Sequence, residues 1–185
     1  MQPDYFLTYE DKTAGFSIGY PDDWVLSDAP DTDAFATFDD QYYWTTSVVV
    51  FFYEGDTEKG NYGESRTNNQ ILEQNQYNWS ENCEDSTFEV DDRICYNIKV
   101  IDSTVLYTND NRKVYLVEVT YRLEWKDHPQ HPDHSMKKIS GLIYDGDHSW
   151  TITAESMVGS AKYIHFDEIM HMINKRNPAK HKLTI

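Results

Sequence analysis

The stretch from Lys113 to Trp125 alternates between two kinds of side chain. At every second position the side chain is apolar or aromatic: Tyr115, Val117, Val119, Tyr121 and Leu123. The intervening set is mixed: Val114, Leu116, Glu118, Thr120 and Arg122. A period of two is typical of a β-strand with one buried face. The stretch therefore predicts a long strand whose odd-numbered side chains face a core.

Further strands with turns between them surround this one. Ile94–Leu106 predicts a strand before it, flanked by a shorter one at Thr87–Val90. Ile139–Tyr144 and Trp150–Glu155 predict a hairpin across Asp145-Gly146-Asp147. An Asp-Gly pair favours a tight hairpin because glycine tolerates a positive φ. These patterns indicate an antiparallel sheet.

The N-terminal third predicts four shorter strands, at Tyr5–Tyr9, 15–20, Ala34–Phe38 and Thr45–Tyr53. The second must stop at Pro21, because proline has no N–H and fixes φ. Trp24 follows at once, and we expect it to fill the core beside the strand end. The fourth is apolar at consecutive positions, which is typical of a central strand covered on both faces.

Two segments predict helices. In Glu64–Ser80 a thin apolar stripe falls near the spacing of one helix face. Its members are Ile71, Leu72, Asn75, Gln76 and Trp79. Ala161–Lys175 carries a clearer apolar stripe, formed by Ile164, Ile169, Met172 and Ile173, and Pro178 follows its end. The expected fold class is therefore α+β. It is a single domain over residues 1–185, in which an antiparallel sheet of about six or more strands is flanked by a central helix and a C-terminal helix.

The charge of the chain limits its partners. The formal net charge is −16, with 32 acidic and 16 basic side chains. A nucleic-acid partner is not expected, because no basic patch is visible that could neutralise phosphates. Cationic partners or divalent cations suit this charge better. No apolar run approaches the length of a membrane span. Met1 opens directly on sequence of a folded type, so we expect no signal peptide within these residues; the alternative is a leader that has been removed.

One histidine-rich segment suggests a metal site. His128, His131 and His134 lie close together with Asp133, and imidazole and carboxylate groups bind Zn, Cu or Ni. Pro129 and Pro132 keep the residues before them out of the helical region, so helical chelation is not expected. The alternative interpretation is a solvated polar loop.

Two further features bear on the compartment. Cys83 and Cys95 are the two cysteines of the chain, and they could form a disulfide, which would place the protein outside the cytoplasm. Two buried free thiols are the alternative. Asn78 begins an Asn-Trp-Ser sequence, which is a possible glycosylation site.

Sequence signatures of catalysis are missing. The chain contains no Gly-x-Ser-x-Gly elbow, no phosphate-binding glycine-rich loop and no His-Glu-x-x-His motif. We therefore expect a protein that is not an enzyme.

Two segments and the order of the elements resemble the PsbP-like family. The segments are Gly15–Trp24 and Gly141–Glu155, joined by the terminal helix with Phe166 and Ile169. The family shares its fold with an extrinsic subunit of photosystem II and with a Ran-binding nuclear import factor, and the chain looks most like its extracytoplasmic archaeal members. The resemblance implies a non-enzymatic extracytoplasmic module for interaction or assembly, with protein partners. The alternative is an accessory protein that binds Zn or Cu through the His128–His134 segment.

Overall fold

The computed structural model describes residues 6–11, 16–27, 34–40, 47–55, 58–59, 64–84, 93–108, 111–125 and 133–158. Their elements are β1 (Phe6–Asp11), β2 (Phe16–Pro21), β3 (Trp24–Ser27), β4 (Ala34–Asp40), β5 (Ser47–Glu54), α1 (Asn68–Glu84), β6 (Arg93–Tyr107), β7 (Lys113–Trp125), β8 (His134–Asp145) and β9 (His148–Met157). The predicted α+β class is confirmed. The predicted strand at Thr87–Val90 and the predicted helix at Ala161–Lys175 lie outside the described residues.

The strands form two antiparallel sheets. The larger has seven strands in the order β3-β4-β5-β9-β8-β7-β6, and the smaller pairs β1 with β2. β2 ends at Pro21, as the loss of a donor N–H predicts. β8 and β9 form the predicted hairpin, in which Asp145 pairs with His148 and Gly146 has a φ of 72°. β3 was not predicted, because its four residues are too few to show a period.

The main core lies between the two sheets. Ile18 of β2 packs with buried side chains of the large sheet, among them Phe38, Val50, Leu116 and Trp150. Phe38 and Trp150 have no exposed surface and fill its centre. Trp24 is only half-buried against this cluster, so it borders the core instead of filling it.

A second cluster lies on the opposite face of the large sheet. There Ile71 and Leu72 of α1 pack on Tyr115, Val117 and Val119 of β7. The odd-numbered side chains of β7 from Tyr115 to Leu123 are all buried, as predicted. Val114 and Leu116 are buried as well, because they join the same cluster as Ile18 of the small sheet on the other face.

The central strand β5 is less evenly covered than its sequence suggests. Val48 and Val50 are fully buried in the main core. Val49 and Phe51, on the opposite face, are half-buried among the described residues. Burial in β5 therefore alternates, and it does not run continuously along the strand.

Irregular pairing changes the shape of two strands. β6 has 15 residues against 13 in β7, because one extra residue lies between Tyr96 and Lys99 and another between Val100 and Asp102. A further bulge between Ala34 and Ala36 turns Phe35 toward the core, where its ring meets Trp150 edge to face at 5.3 Å. No helix in the described part of the chain is both long and apolar enough to cross a bilayer.

Candidate functional site

The structure describes half of the predicted histidine site. His128 and His131 lie outside the described residues, whereas Asp133 and His134 lie inside them. His134 is the first residue of β8, opposite Leu123 of β7, and so belongs to a strand and not to the predicted loop. Among the described residues, no group of three or more His, Cys, Asp or Glu side chains is placed to hold a metal ion.

Asp133 is held by neighbouring strands. Its Oδ2 accepts a hydrogen bond from the hydroxyl of Tyr96 and another, at 3.5 Å, from Nη2 of Arg122. Nη1 of Arg122 donates to Oγ of Ser135 at 2.8 Å. The bond from Tyr96, and after it Arg122, lowers the pKa of Asp133. This carboxylate therefore has a cationic partner within the protein, which weakens the expectation that it binds a metal ion.

The other predicted sites are described in part. The sulfur of Cys95 is disulfide-bonded. Cys83 and Asn78 both lie on α1, but their side chains lie outside the described residues. The pairing of Cys83 with Cys95 and the glycosylation of Asn78 stay predictions.

A polar network joins residue 58 to the start of β7. Glu58 accepts hydrogen bonds through Oε1 from the hydroxyl of Tyr115 and from Nζ of Lys113, the latter at 2.9 Å. Lys113 also donates to Oδ1 of Asn68, the first residue of α1, at 3.2 Å. The network therefore ties an irregular segment, a strand and a helix end together. We call these four side chains the Glu58 network.

Arg66 extends this network toward β8. Its Nε donates to the backbone carbonyl of Glu58 at 3.2 Å, and its Nη2 donates to the hydroxyl of Tyr144 at 2.8 Å. The guanidinium also lies 5.4 Å from the centre of the Tyr144 ring. The Tyr144 and Tyr115 rings meet edge to face at 6.1 Å. Arg66 is thus fixed between residue 58 and the sheet.

The electrostatics of the Glu58 network favour structure over catalysis. The hydrogen bonds from Tyr115 and Lys113 lower the pKa of Glu58. Burial, and then the neighbouring Glu58, raises the pKa of Tyr115 to about 12. Both shifts move these groups away from neutral pH, whereas a general acid or base works best with a pKa near it. Near neutral pH Glu58 is therefore ionised and Tyr115 keeps its proton, so the network acts as a support.

The first turn of α1 is capped by a reciprocal pair of side chains. Oγ1 of Thr67 accepts a hydrogen bond from the backbone N–H of Gln70 at 3.3 Å, and Oε1 of Gln70 accepts one from the N–H of Thr67 at 2.8 Å. This capping box satisfies two N–H groups that the helix leaves open at its start. It fixes where α1 begins.

The inner side of α1 is attached to the sheet by a buried polar residue. Asn75 is 9% exposed, and its Nδ2 donates to the backbone carbonyl of Tyr115 at 3.3 Å. Its Oδ1 accepts from Oγ of Ser140 at 3.5 Å. Asn75 therefore holds the helix against β7 and β8, and Ile71 and Leu72 pack beside it.

An open groove lies on the outer side of α1, next to the segment that carries Arg66. Its volume is about 420 Å³. It is lined by Glu64, Ser65, Arg66, Gln70, Glu73, Gln74 and Tyr77. We call it the α1 groove. Four of these residues are spaced i, i+3, i+4 and i+7 along the helix and so share one face. The capping box, Asn75 and Arg66 hold the two sides of the groove in place.

Comparisons with known proteins show which solved structures have a similar fold. The fold of this chain is similar to the solution structure of cyanobacterial PsbP (CyanoP) from Synechocystis sp. PCC 6803, with 13% identity, a TM-score of 0.58, and coverage of 95% of this chain and 94% of that chain. It is equally similar to the Saccharomyces cerevisiae Ran-binding protein Mog1p, with 11% identity, a TM-score of 0.59, and coverage of 94% and 95%. The chain has a PsbP/Mog1-like fold.

The same fold occurs inside a longer protein. A crystal structure from Bacteroides thetaiotaomicron matches with 12% identity and a TM-score of 0.57, over 94% of this chain and 48% of that one. This chain thus spans about half the length of that protein. No protein-family model matches the sequence. No curated protein sequence matches it either. The PsbP/Mog1-like likeness is therefore one of three-dimensional structure.

Neither the Glu58 network nor the α1 groove was predicted from the sequence. Glu58 and Lys113 are 55 residues apart, so no local pattern links them. The helix face that lines the groove could have been recognised from the sequence, because four polar or amphipathic residues recur there at helical spacing: Gln70, Glu73, Gln74 and Tyr77. The Thr67-x-x-Gln70 capping pattern would also have placed the helix start.

Proposed function

We propose that this chain is a protein-interaction module that works without catalysing a reaction. The observation that carries the proposal is the α1 groove, an open and largely polar surface next to a network whose titratable groups are paired. A site of this kind binds through surface contacts. The partner is a protein that covers the outer side of α1.

The fold supports this proposal. Of two proteins with the same fold over nearly their full length, one is described as Ran-binding and the other as a cyanobacterial PsbP. Fold alone does not fix a function, but it leads us to expect a rigid surface that can bind a protein. The groove meets that expectation, because its two sides are anchored to the sheet through Asn75 and Arg66.

We propose that this module works outside the cytoplasm, as an extracytoplasmic domain of the archaeal type. The disulfide bond of Cys95 supports this setting, since disulfides persist in oxidising compartments. Fractionation of the producing cells tests it. We expect the protein in the extracytoplasmic fraction, and a wholly cytoplasmic protein with reduced cysteines would contradict the placement.

The interaction itself is tested by crosslinking in the producing cells. An affinity-tagged full-length chain should crosslink to a partner through residues of α1 that line the groove. Glu73→Lys places a cation in the groove and should abolish these crosslinks. Glu10→Lys makes the same change at an exposed position of β1, in the small sheet that packs on the opposite face, and should leave them intact. Equal loss in both variants would contradict the proposal.

A further inference from the structure

We infer that the α1 groove recognises a basic segment of its protein partner, with arginine or lysine side chains lying along α1. The inference rests on the proposed function and names the chemistry of the partner. It comes from three properties of the groove: its charge, its aromatic side chain and its amide groups. Each property belongs to residues that the structure describes.

The first property is a net negative charge. Glu64 and Glu73 both line the groove and are exposed. Arg66 is the cation among the lining residues, and its guanidinium is bound to the carbonyl of Glu58 and the hydroxyl of Tyr144. Both partners are neutral, so the guanidinium keeps its charge, but it is outnumbered in the lining by the two carboxylates. They complement a cationic partner.

The second property is the aromatic ring of Tyr77. This side chain is 56% exposed and lines the groove one helical turn beyond Glu73. A guanidinium or ammonium group is attracted to the face of an aromatic ring. The carboxylate of Glu73 and the ring of Tyr77 can thus contact the same cationic side chain from two directions.

The third property is a row of amides. Gln70 and Gln74 lie one turn apart on the outer face of α1, and both line the groove. The oxygen of Gln70 accepts the hydrogen bonds of Thr67, so its nitrogen is the group that can donate to the backbone of an extended peptide. Since the lining is polar and exposed, an enclosed apolar ligand is a poor fit. A peptide segment that presents charged side chains is a good one.

The acidity of the whole chain supports the same partner. A net charge of −16 attracts cationic segments over a distance and raises their rate of encounter. Long-range attraction alone would not select the groove. A basic segment that binds in the groove should therefore lose affinity when groove residues are replaced, and not when residues elsewhere are replaced.

Calorimetric titration with defined peptides tests this inference. The probe is a capped peptide of alternating arginine and glycine, and the control probe replaces arginine with glutamate. We expect the arginine peptide to bind the full-length chain, more weakly as salt increases, and the glutamate peptide not to bind. The double variant Glu64→Gln/Glu73→Gln should bind the arginine peptide about tenfold more weakly. Tyr77→Ala should also weaken it.

Matched control variants distinguish binding in the groove from diffuse electrostatic attraction to the whole chain. Glu10→Gln/Glu124→Gln removes the same charge at two exposed positions outside the groove. Tyr107→Ala removes a ring that is also 56% exposed and does not line the groove. Both controls should bind like the wild type. If the Glu10/Glu124 variant weakens binding as much as the groove variant, the attraction is diffuse and the inference is overturned.

The result also separates this inference from the proposed function. If the arginine peptide does not bind while crosslinks from α1 to a cellular partner persist, the partner is not recognised through a basic segment and the interaction module stands. If the peptide binds to the groove and no crosslinks form through α1, the groove is cation-selective but the proposed function is contradicted. Tight binding of the glutamate peptide would overturn the charge argument.

Discussion

Tyr115 donates the hydrogen bond of its hydroxyl to the carboxylate of Glu58, which links a buried strand to a segment 57 residues earlier in the chain. Lys113 donates to the same oxygen and leaves Glu58 ionised. The Glu58–Tyr115 pair holds residue 58 next to Arg66, so it supports the side of the α1 groove that Arg66 lines. Its contribution can be measured.

A double-mutant cycle of Glu58→Ala and Tyr115→Phe should show a coupling free energy of about 1 kcal/mol in urea unfolding. A hydrogen bond to a charged group can contribute more, but the Glu58 side chain is 44% exposed and water screens it. The control cycle pairs Tyr115→Phe with Glu54→Ala, at an exposed position at the end of β5. Equal coupling in the two cycles would show that the Glu58–Tyr115 contact contributes nothing specific.

The raised pKa of Tyr115 predicts a loss of stability at alkaline pH. In the folded protein the hydroxyl keeps its proton up to a pKa of about 12, whereas the ordinary value is 10.0. Between these values the unfolded chain binds fewer protons than the folded one, so the free energy of unfolding falls as the pH rises. Urea unfolding at pH ~9 and ~11 measures this loss. The variant Tyr115→Phe should lose less stability over the same interval, and an identical slope would refute the assignment.

Asn75→Ala should lower the free energy of unfolding by about 1 to 3 kcal/mol, because it leaves the hydroxyl of Ser140 without this acceptor in a buried site. Asn69→Ala on the exposed side of the same helix is the matched control. It should change stability by no more than about 0.5 kcal/mol, since alanine favours helices and no buried contact is lost. A similar loss in both variants would mean that the helix, and not its attachment to the sheet, is being weakened.

The histidine hypothesis leads to a different prediction for Asp133. Because Tyr96 and Arg122 bind this carboxylate, we expect Asp133→Asn to leave the affinity for Zn²⁺ or Cu²⁺ unchanged in calorimetry. The triple variant His128→Ala/His131→Ala/His134→Ala tests the three imidazoles. If the wild type binds and the triple variant binds equally well, the metal is held elsewhere. A marked loss on Asp133→Asn would show that the ion displaces Arg122.

Local patterns predicted most of the sheet. The period of two in β7 identified the buried side chains from Tyr115 to Leu123, and the Asp145-Gly146 pair placed the β8–β9 hairpin. Both signals are local, because they depend on neighbouring residues of one strand or one turn. The burial of Val114 and Leu116 is not local. It depends on Ile18, which is nearly a hundred residues earlier in the chain and lies in a separate sheet.

The candidate site was harder to predict for the same reason. The outer stripe of α1 could be recognised by its spacing, but the neighbours that make it a groove, Glu64 and Arg66, precede the helix. The guanidinium of Arg66 lies against the sheet because Tyr144 and the carbonyl of Glu58 hold it there. A reader of the sequence sees a cation at that position and cannot tell which way it points.

The two bulges in β6 have a consequence for how molecules of this protein meet. Each inserts a residue that breaks the even spacing of backbone donors and acceptors along β6, which is the last strand of the large sheet among the described residues. Suppose that a strand from a second molecule pairs in register with one end of β6. It would fall out of register twice before it reached the other end of β6. The longest strand that the structure describes is therefore a poor template for the stacking of chains into fibrils, although it carries exposed Val100 and Ile101.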